Sequence, residues 1–407
     1  MGIFDTGTTG FMMLATSLVM LMTPGLAFFY GGLACKRNIL GVMIQSFVSL
    51  SVTSILWWAF GYSLCFSGGE GGIIGNLDKA FLNGVTLTST WGPKEKFPEL
   101  VFFAYQMMFA IITPALITGA FANRVTFKAY MLFLVLWQIF VYYPFAHMVW
   151  GNGLLAKWGV LDFAGGIVVH ATAGAAALAS VFYVGARHVK NSQPNSIPLV
   201  AVGTGLLWFG WYGFNAGSEL AVDGVTALAF INTNMAASTA ALTWLLLEWT
   251  RHDKRPTFLG LLTGSIAGLA TITPAAGYVN TGWACFIGVL ASLGCFMAVK
   301  LKDRMDWDDA LDVWGVHGVG GVIGTIALGV FGSAAVNSNS ADGLIHGGYE
   351  FFFKQVIATV FAFIYALGFT YGMLVLINKI TPVKVSKEDE EMGLDAALHG
   401  EVARDMQ

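Results

Sequence analysis

Eleven long apolar runs constrain this chain more than any other feature. They lie near residues 10–30, 40–66, 99–122, 129–146, 163–185, 199–222, 226–250, 257–276, 279–299, 312–333 and 350–378. A hydrocarbon layer about 30 Å thick is crossed by about 20 helical residues, so runs of this length suit a bilayer. Lipid offers backbone amides no hydrogen-bond partner, and helices are the form such runs must take. Only 11% of the 407 residues are charged, too few to cover a soluble domain of this size. The expected fold is an all-α integral membrane protein with eleven transmembrane helices.

Lysine and arginine set the orientation. With the N-terminus outside, Lys79, Lys94, Lys96, Lys157 and Lys354 fall on the outer side, and the other sixteen of the 21 basic residues fall inside. That bias reads as N-out, C-in. Residues 1–10 carry no basic stretch, so the first run reads as a span rather than a signal peptide. A leader removed upstream would leave the same start. Cys35, Cys65, Cys285 and Cys295 show no CxxC spacing and read as small apolar residues rather than disulfides or metal ligands. The net charge of −3 selects no partner class.

Two copies of one pattern lie within the runs. Asp162 precedes His170 by eight residues, and Asp309 precedes His317 by eight. Each histidine follows a valine (Val169, Val316) and is followed four residues later by glycine (Gly174, Gly321). Ile112-Thr-Pro-Ala115 also recurs as Ile272-Thr-Pro-Ala275. These echoes point to a duplication of five spans, about 10–185 and about 199–333, with an extra C-terminal helix at 350–378. Five is odd, so the second copy inserts upside down, giving an inverted five-plus-five repeat of the kind that recurs in transporters. Residues 1–378 then form the transmembrane domain and 379–407 a charged cytoplasmic tail, which reads as a solvated, partly disordered terminus. The Gly-, Ser- and Thr-rich loop 67–98 is the largest external excursion.

Ionisable groups inside a membrane usually face a bundle interior or a water-filled cavity. At about 1.5 Å per residue, His170 lies about 12 Å below the outer edge. A tenth span starting near Asp306 brings His317 to the same depth; starting at Val313 lowers it by about 10 Å. Two neutral imidazoles can share one proton while their other nitrogens face a lumen. Such a pair suits a small polar solute or a proton and disfavours a desolvated metal cation. Trp150 sits in the external hairpin Ala146–Asn152, Trp211 and Phe214 near the outer end of the sixth span, and Phe109 in the outer half of the third. Any one of them reads equally well as an interfacial or core residue. Together with Ser218 they suit an external cation–π cup, worth about 2 kcal/mol when desolvated. Asp162 reads as a cap on helix amides, with a direct ion ligand as the alternative. A hydrolase or metalloenzyme built on His170 and His317 lacks a third ligand or a nearby nucleophile, so neither enzyme chemistry nor a cofactor or metal is expected.

At these residues the chain resembles the ammonium transporter family (Amt/Mep/Rh), on its Amt branch. The matching strings are Phe28–Gly32, Ala146–Gly151, Leu161–His170, Gly213–Ser218, Asp312–Gly318, and the tail's Gly393-Leu-Asp395 with His399-Gly-Glu401. The resemblance covers essentially the whole chain. It implies a homotrimer in the cell membrane, each subunit with its own pore, and ammonium or methylammonium as cargo. Trp150, Phe109 and Ser218 would recruit the ion, Phe109 and Phe214 would form a stacked gate, and His170 and His317 a twin-histidine pair. Trp211 would line the upper pore, and Asp162 would support the recruitment site. The resemblance further implies inward movement of net charge, with ammonium deprotonating and the proton and ammonia recombining below. A cytoplasmic P-II-type regulator is implied as a partner, and nucleic acid is not. Tyr105 stands where phenylalanine is common, adding a hydroxyl to the substrate site. A sensor on the same scaffold is the second reading, although it would usually need a signalling domain larger than a 29-residue tail. Rh-like passage of neutral gas is the third; Trp150 and Ser218 favour a charged substrate.

Overall fold

The computed structural model describes residues 4–91, 97–189, 193–250 and 255–403. Lys94, Lys96, Lys190, Arg251, Lys254 and Arg404, counted in the charge bias above, lie outside the described residues. Among the described residues ten helices are long and apolar enough to cross a membrane: α1 Thr6–Leu33, α2 Lys36–Phe66, α3 Glu99–Ile117, α4 Phe127–Trp158, α5 Gly166–Val184, α6 Ile197–Glu219, α7 Gly224–Trp249, α9 Thr281–Arg304, α10 Trp314–Phe331 and α11 Tyr349–Ile380. The shorter α8, Phe258–Ile272, completes the eleven apolar helices of a multi-pass membrane protein. Loops alternate between two faces, one bearing the N-terminus and the other the C-terminal tail. α1 packs along α6 with almost no space between backbones: a Cβ on Gly203 would lie 2.3 Å from the Phe29 nitrogen. Small residues at such seams are what helix packing in lipid requires.

The repeated Ile-Thr-Pro-Ala segments end α3 and α8 earlier than the apolar runs suggest. Proline supplies no N–H and disrupts the next turn. In α3 the carbonyl of Ala110, which a residue at 114 would normally engage, accepts instead from Gln138 Nε2 at 2.5 Å. Thr113 and Thr273 hydroxyls donate back to Phe109 and Leu269 carbonyls at 2.6 and 2.8 Å. Tight turns then follow in both places, at 118–124 and 273–278.

α5 and α10 start inside the protein. The segments before them, 159–165 and 305–312, are non-helical, and Asp306 and Asp312 adopt left-handed φ of 52° and 59°. The tenth helix therefore begins at Trp314 and not near Asp306, and depth cannot be counted from Asp306. Each histidine lies in the first turn of its helix, and both first turns are π-helical, Gly166–Ala171 and Trp314–Gly318. The two helices cross at glycine: a Cβ on Gly174 would lie 2.0 Å from Gly318 Cα, and one on Gly321 2.8 Å from the Ala171 nitrogen.

The tail departs from the expectation of a solvated terminus. After α11 it adds two short helices, α12 Lys387–Met392 and α13 Leu394–His399, which dock on the opposite end of the sequence. Helix N-termini leave amide groups unpaired and carry a partial positive charge, which makes the start of α2 a receptor for a carboxylate. Buried Asp395 accepts from Leu40 N at 3.1 Å and Gly41 N at 2.7 Å, and Asn38 Oδ1 accepts from Leu394 N at 2.6 Å. Glu390 accepts from Val189 N at 2.9 Å. Arg124, fully buried, donates to the Ala120, Gly185 and Asp308 carbonyls, while its own carbonyl accepts from Val385 N. Burial alone would lift the Asp308 carboxyl, but Arg187 and Arg124 more than offset it and hold the group below its usual range.

The glycine crossing carries the first prediction. Gly174→Ala meets backbone, which cannot rotate away, so its cost should exceed the about 1–3 kcal/mol typical of overpacking. Gly368→Ala in α11 meets nothing within 4 Å and should leave stability unchanged. Thermal unfolding in detergent checks both; equal midpoints for the two variants would contradict the crossing.

Candidate functional site

A cavity of about 280 Å³ opens at the N-terminal face. Phe109, Trp150, Asp162 and Ser218 line it, together with Gln106 and Phe163, which the sequence reading missed. Trp150 is held by its indole N–H, which donates to the Asp162 carbonyl at 2.9 Å. Ser218 donates to the Phe214 carbonyl at 2.9 Å, leaving its oxygen lone pairs free to accept. Tyr105 is not among the residues lining the cavity. Its ring is fully buried behind Phe109, and its hydroxyl lies 2.9 Å from both Gly213 and Phe214 carbonyls and 3.2 Å from Ser218 Oγ. The Tyr105 hydroxyl thus fixes the end of α6 at 213–218.

Below the cavity the rings close into a column. Phe109 meets Trp150 edge-on at 5.8 Å between centroids and lies 4.3 Å from Phe214. Phe214 lies 6.1 Å from the His170 ring, and Trp211 stacks on His170 at 5.6 Å. His170 then meets His317 edge to edge, with centroids 5.3 Å and planes 16° apart. Trp211 is oriented by a 2.9 Å hydrogen bond from its indole nitrogen to Thr273 Oγ1. The space beside the histidines is about 10 Å³, lined by apolar side chains such as Leu26, Phe29, Ile112 and Leu207. That is the threshold for one water molecule.

The imidazoles approach through Nδ1 atoms 3.3 Å apart. A hydrogen bond here needs one ring protonated on Nδ1 and its partner not, so the pair holds one proton between them while both rings are neutral. Nε2 of His170 is buried without a protein partner. The elements that present these rings are fixed by carboxylates. Asp162 accepts from the amides of Gly165, Gly166, Ile167 and Val168 at 2.7–3.1 Å, which occupies both its oxygens. Burial pushes the Asp162 carboxyl above the usual range, and the four amides pull against that. Asp309 caps the second helix in the same way, accepting from Val313 and Trp314 amides at 3.1 and 2.8 Å. Among the described residues no group of three His, Cys, Asp or Glu is placed to hold a metal ion. On the tail face a second cavity, about 360 Å³, is lined by charged groups that include Arg187, Lys302, Asp308 and Asp312.

The comparisons agree with one another. The chain matches the Ammonium Transporter Family over residues 10–404. An ammonium transporter of Bacillus subtilis (strain 168) is 44% identical over 399 residues, covering 98% of each chain. Among solved structures, Saccharomyces cerevisiae Mep2 superimposes with a TM-score of 0.88 at 34% identity, over 95% of this chain and 88% of that one. A structure described as a sensor Amt protein gives a TM-score of 0.86 at 28% identity, over 96% of this chain and 97% of that one. The family consists of transport proteins, and the chain is a member of the ammonium transporter family.

Proposed function

We propose that this protein carries ammonium inward, with the N-terminal face outside the cell and the tail in the cytoplasm. Ammonium is recruited as an ion by the rings of Trp150 and Phe109 and by the Ser218 oxygen. Below the Phe109–Phe214 gate it yields its proton to the imidazole pair, whose hydrogen-bonded nitrogens carry it, and ammonia and the proton recombine below. The observation that carries the reading is the 3.3 Å contact of His170 and His317 at the foot of an aromatic column, in a space with no fixed charge. An intact cation there would meet a desolvation cost of several kcal/mol. Ammonia needs no such compensation, and the shared imidazole proton offers a separate hydrogen-bonded route. Potassium cannot be split and is refused. The exposed apolar helix faces and the family resemblance support a homotrimer, and the docked tail would present a cytoplasmic surface to a P-II-type regulator.

A sensor role is the second reading, because the sensor Amt protein shares this fold. Neutral gas passage is the third. Current in proteoliposomes after an ammonium pulse, read together with the alkalinisation or acidification of the lumen, separates all three: transport gives current and flux, gas passage gives flux without current, and a sensor gives little of either.

Three further outcomes are expected. His170→Asp or His317→Asp places a negative charge beside the column and should admit potassium, measured as current under a potassium gradient; the parent should give none. If both variants refuse potassium and keep their ammonium current, selectivity lies elsewhere. Trp150→Leu should weaken ammonium binding by up to about 2 kcal/mol, the upper value of a desolvated cation–π contact. Unaltered affinity and unaltered competition by potassium would remove Trp150 from the cup. Mass measurement of the detergent-solubilised protein should give three copies, and a stable monomer or dimer would refute the trimer.

A further inference from the structure

The recruitment cavity has an upper storey that neither the family resemblance nor the transport reading uses. Above Phe109 and Trp150 its wall consists of Phe66, Phe102 and Trp91. Phe102, Gln106 and Phe109 follow at helical spacing on one side of α3, about 10 Å from first to last. Trp91 comes from the long loop between α2 and α3. It lies in strand β1, Thr90–Trp91, paired antiparallel with β2, Phe97–Pro98. Its ring stacks on Phe102 with centroids 4.2 Å apart and planes 13° apart, and meets Phe66 edge-on at 5.9 Å.

A ladder of two residues per strand is too short to hold itself in place. Behind Trp91 lies Lys79, whose Nζ is 5.4 Å from the Trp91 ring centroid and 5.9 Å from that of Tyr62. Lys79 pairs with Glu99, which is only 5% exposed and also accepts the Tyr62 hydroxyl at 2.6 Å. A carboxylate so enclosed must keep its cation, because an unpaired buried charge is strongly unfavourable. The need to neutralise Glu99 therefore fixes Lys79, and Lys79 in turn backs Trp91. The two charges cancel, so among the described residues the upper storey is lined by the aromatic rings of Phe66, Trp91 and Phe102.

We propose that Trp91, backed by the Lys79–Glu99 pair, is a specificity-determining wall of the recruitment cavity that admits ammonium and methylammonium and turns away bulkier alkylammonium ions. The role rests on the transport reading above. Lys79 is a positioning residue that acts through Trp91.

The test is inhibition of the ammonium current by dimethylammonium in proteoliposomes holding Trp91→Ala, Trp91→Phe, Lys79→Met or Lys79→Arg protein. In Trp91→Ala the half-inhibiting concentration should fall about tenfold, the lower end of what one methylene-sized clash is worth in a pocket. Lys79→Met should move it in the same direction, while Trp91→Phe and Lys79→Arg stay near the parent. A parent-like inhibition constant in Trp91→Ala and Lys79→Met would overturn the proposal. A fall in maximal current with unchanged competition would assign Trp91 a purely structural role and overturn it as well. If Trp91→Ala does not fold, Lys79→Met combined with Glu99→Gln, which removes both charges together, decides against Lys79→Arg. A parent without ammonium current would instead refute the transport reading.

Discussion

The structure depends on one contact between two backbones. α5 and α10 run in opposite directions and touch where neither has a side chain, Gly174 against Gly318 and Gly321 against the first turn of α5. No other residue fits at these positions, and the spacing from histidine to glycine is one helical turn. The imidazoles are therefore carried to a fixed separation by the crossing itself. Helices that begin inside the protein leave free amides in an apolar interior, a cost that lipid cannot relieve. Asp162 and Asp309 relieve it with buried carboxylates, which makes the same residue type necessary at both places.

Along the column from Trp150 to His317 the polar groups are nearly all neutral and already engaged. Indole and hydroxyl protons point away into backbone carbonyls or Thr273, so the rings present faces and edges to the path rather than donors. Phe109 and Phe214 lie 4.3 Å apart between centroids and touch each other between the cavity and the histidines. Anything that moves through must displace these rings or pass as a species small enough to share their space.

Much of this was legible in the sequence, for a physical reason. Eleven helices follow from hydrophobic length alone, and the two Asp–His stretches adopt the same local form because spacing within a helix start is a local property. Helix ends were harder to read. The apolar runs continue past Pro114 and Pro274, so hydrophobicity placed the ends of α3 and α8 too late. The start of α10 was legible as one of two readings: the apolar run begins at 312, but Trp307 and Leu311 extend the pattern back toward Asp306, where left-handed Asp306 and Asp312 prevent winding. Tyr105 shows a different limit: a hydroxyl beside a cavity looks like a ligand until its acceptors are known, and they are backbone carbonyls 108 and 109 residues away. The tail's docking could not be read at all, since its charges look the same whether they meet water or a helix start. Loop 67–98 concealed Trp91 in the same way.

The pairing of Asp395 with Leu40 and Gly41 joins residues 354 and 355 positions apart. The chain is made from its N-terminus, so the first two helices exist long before their last hydrogen-bond partners do. Throughout synthesis the amides at the head of α2 must be served by water or lipid headgroups. They gain their protein acceptor only when α11 has crossed and Asp395 has left the ribosome. A product truncated before Gly393 would leave that helix start bare and chemically distinguishable from one that carries Asp395.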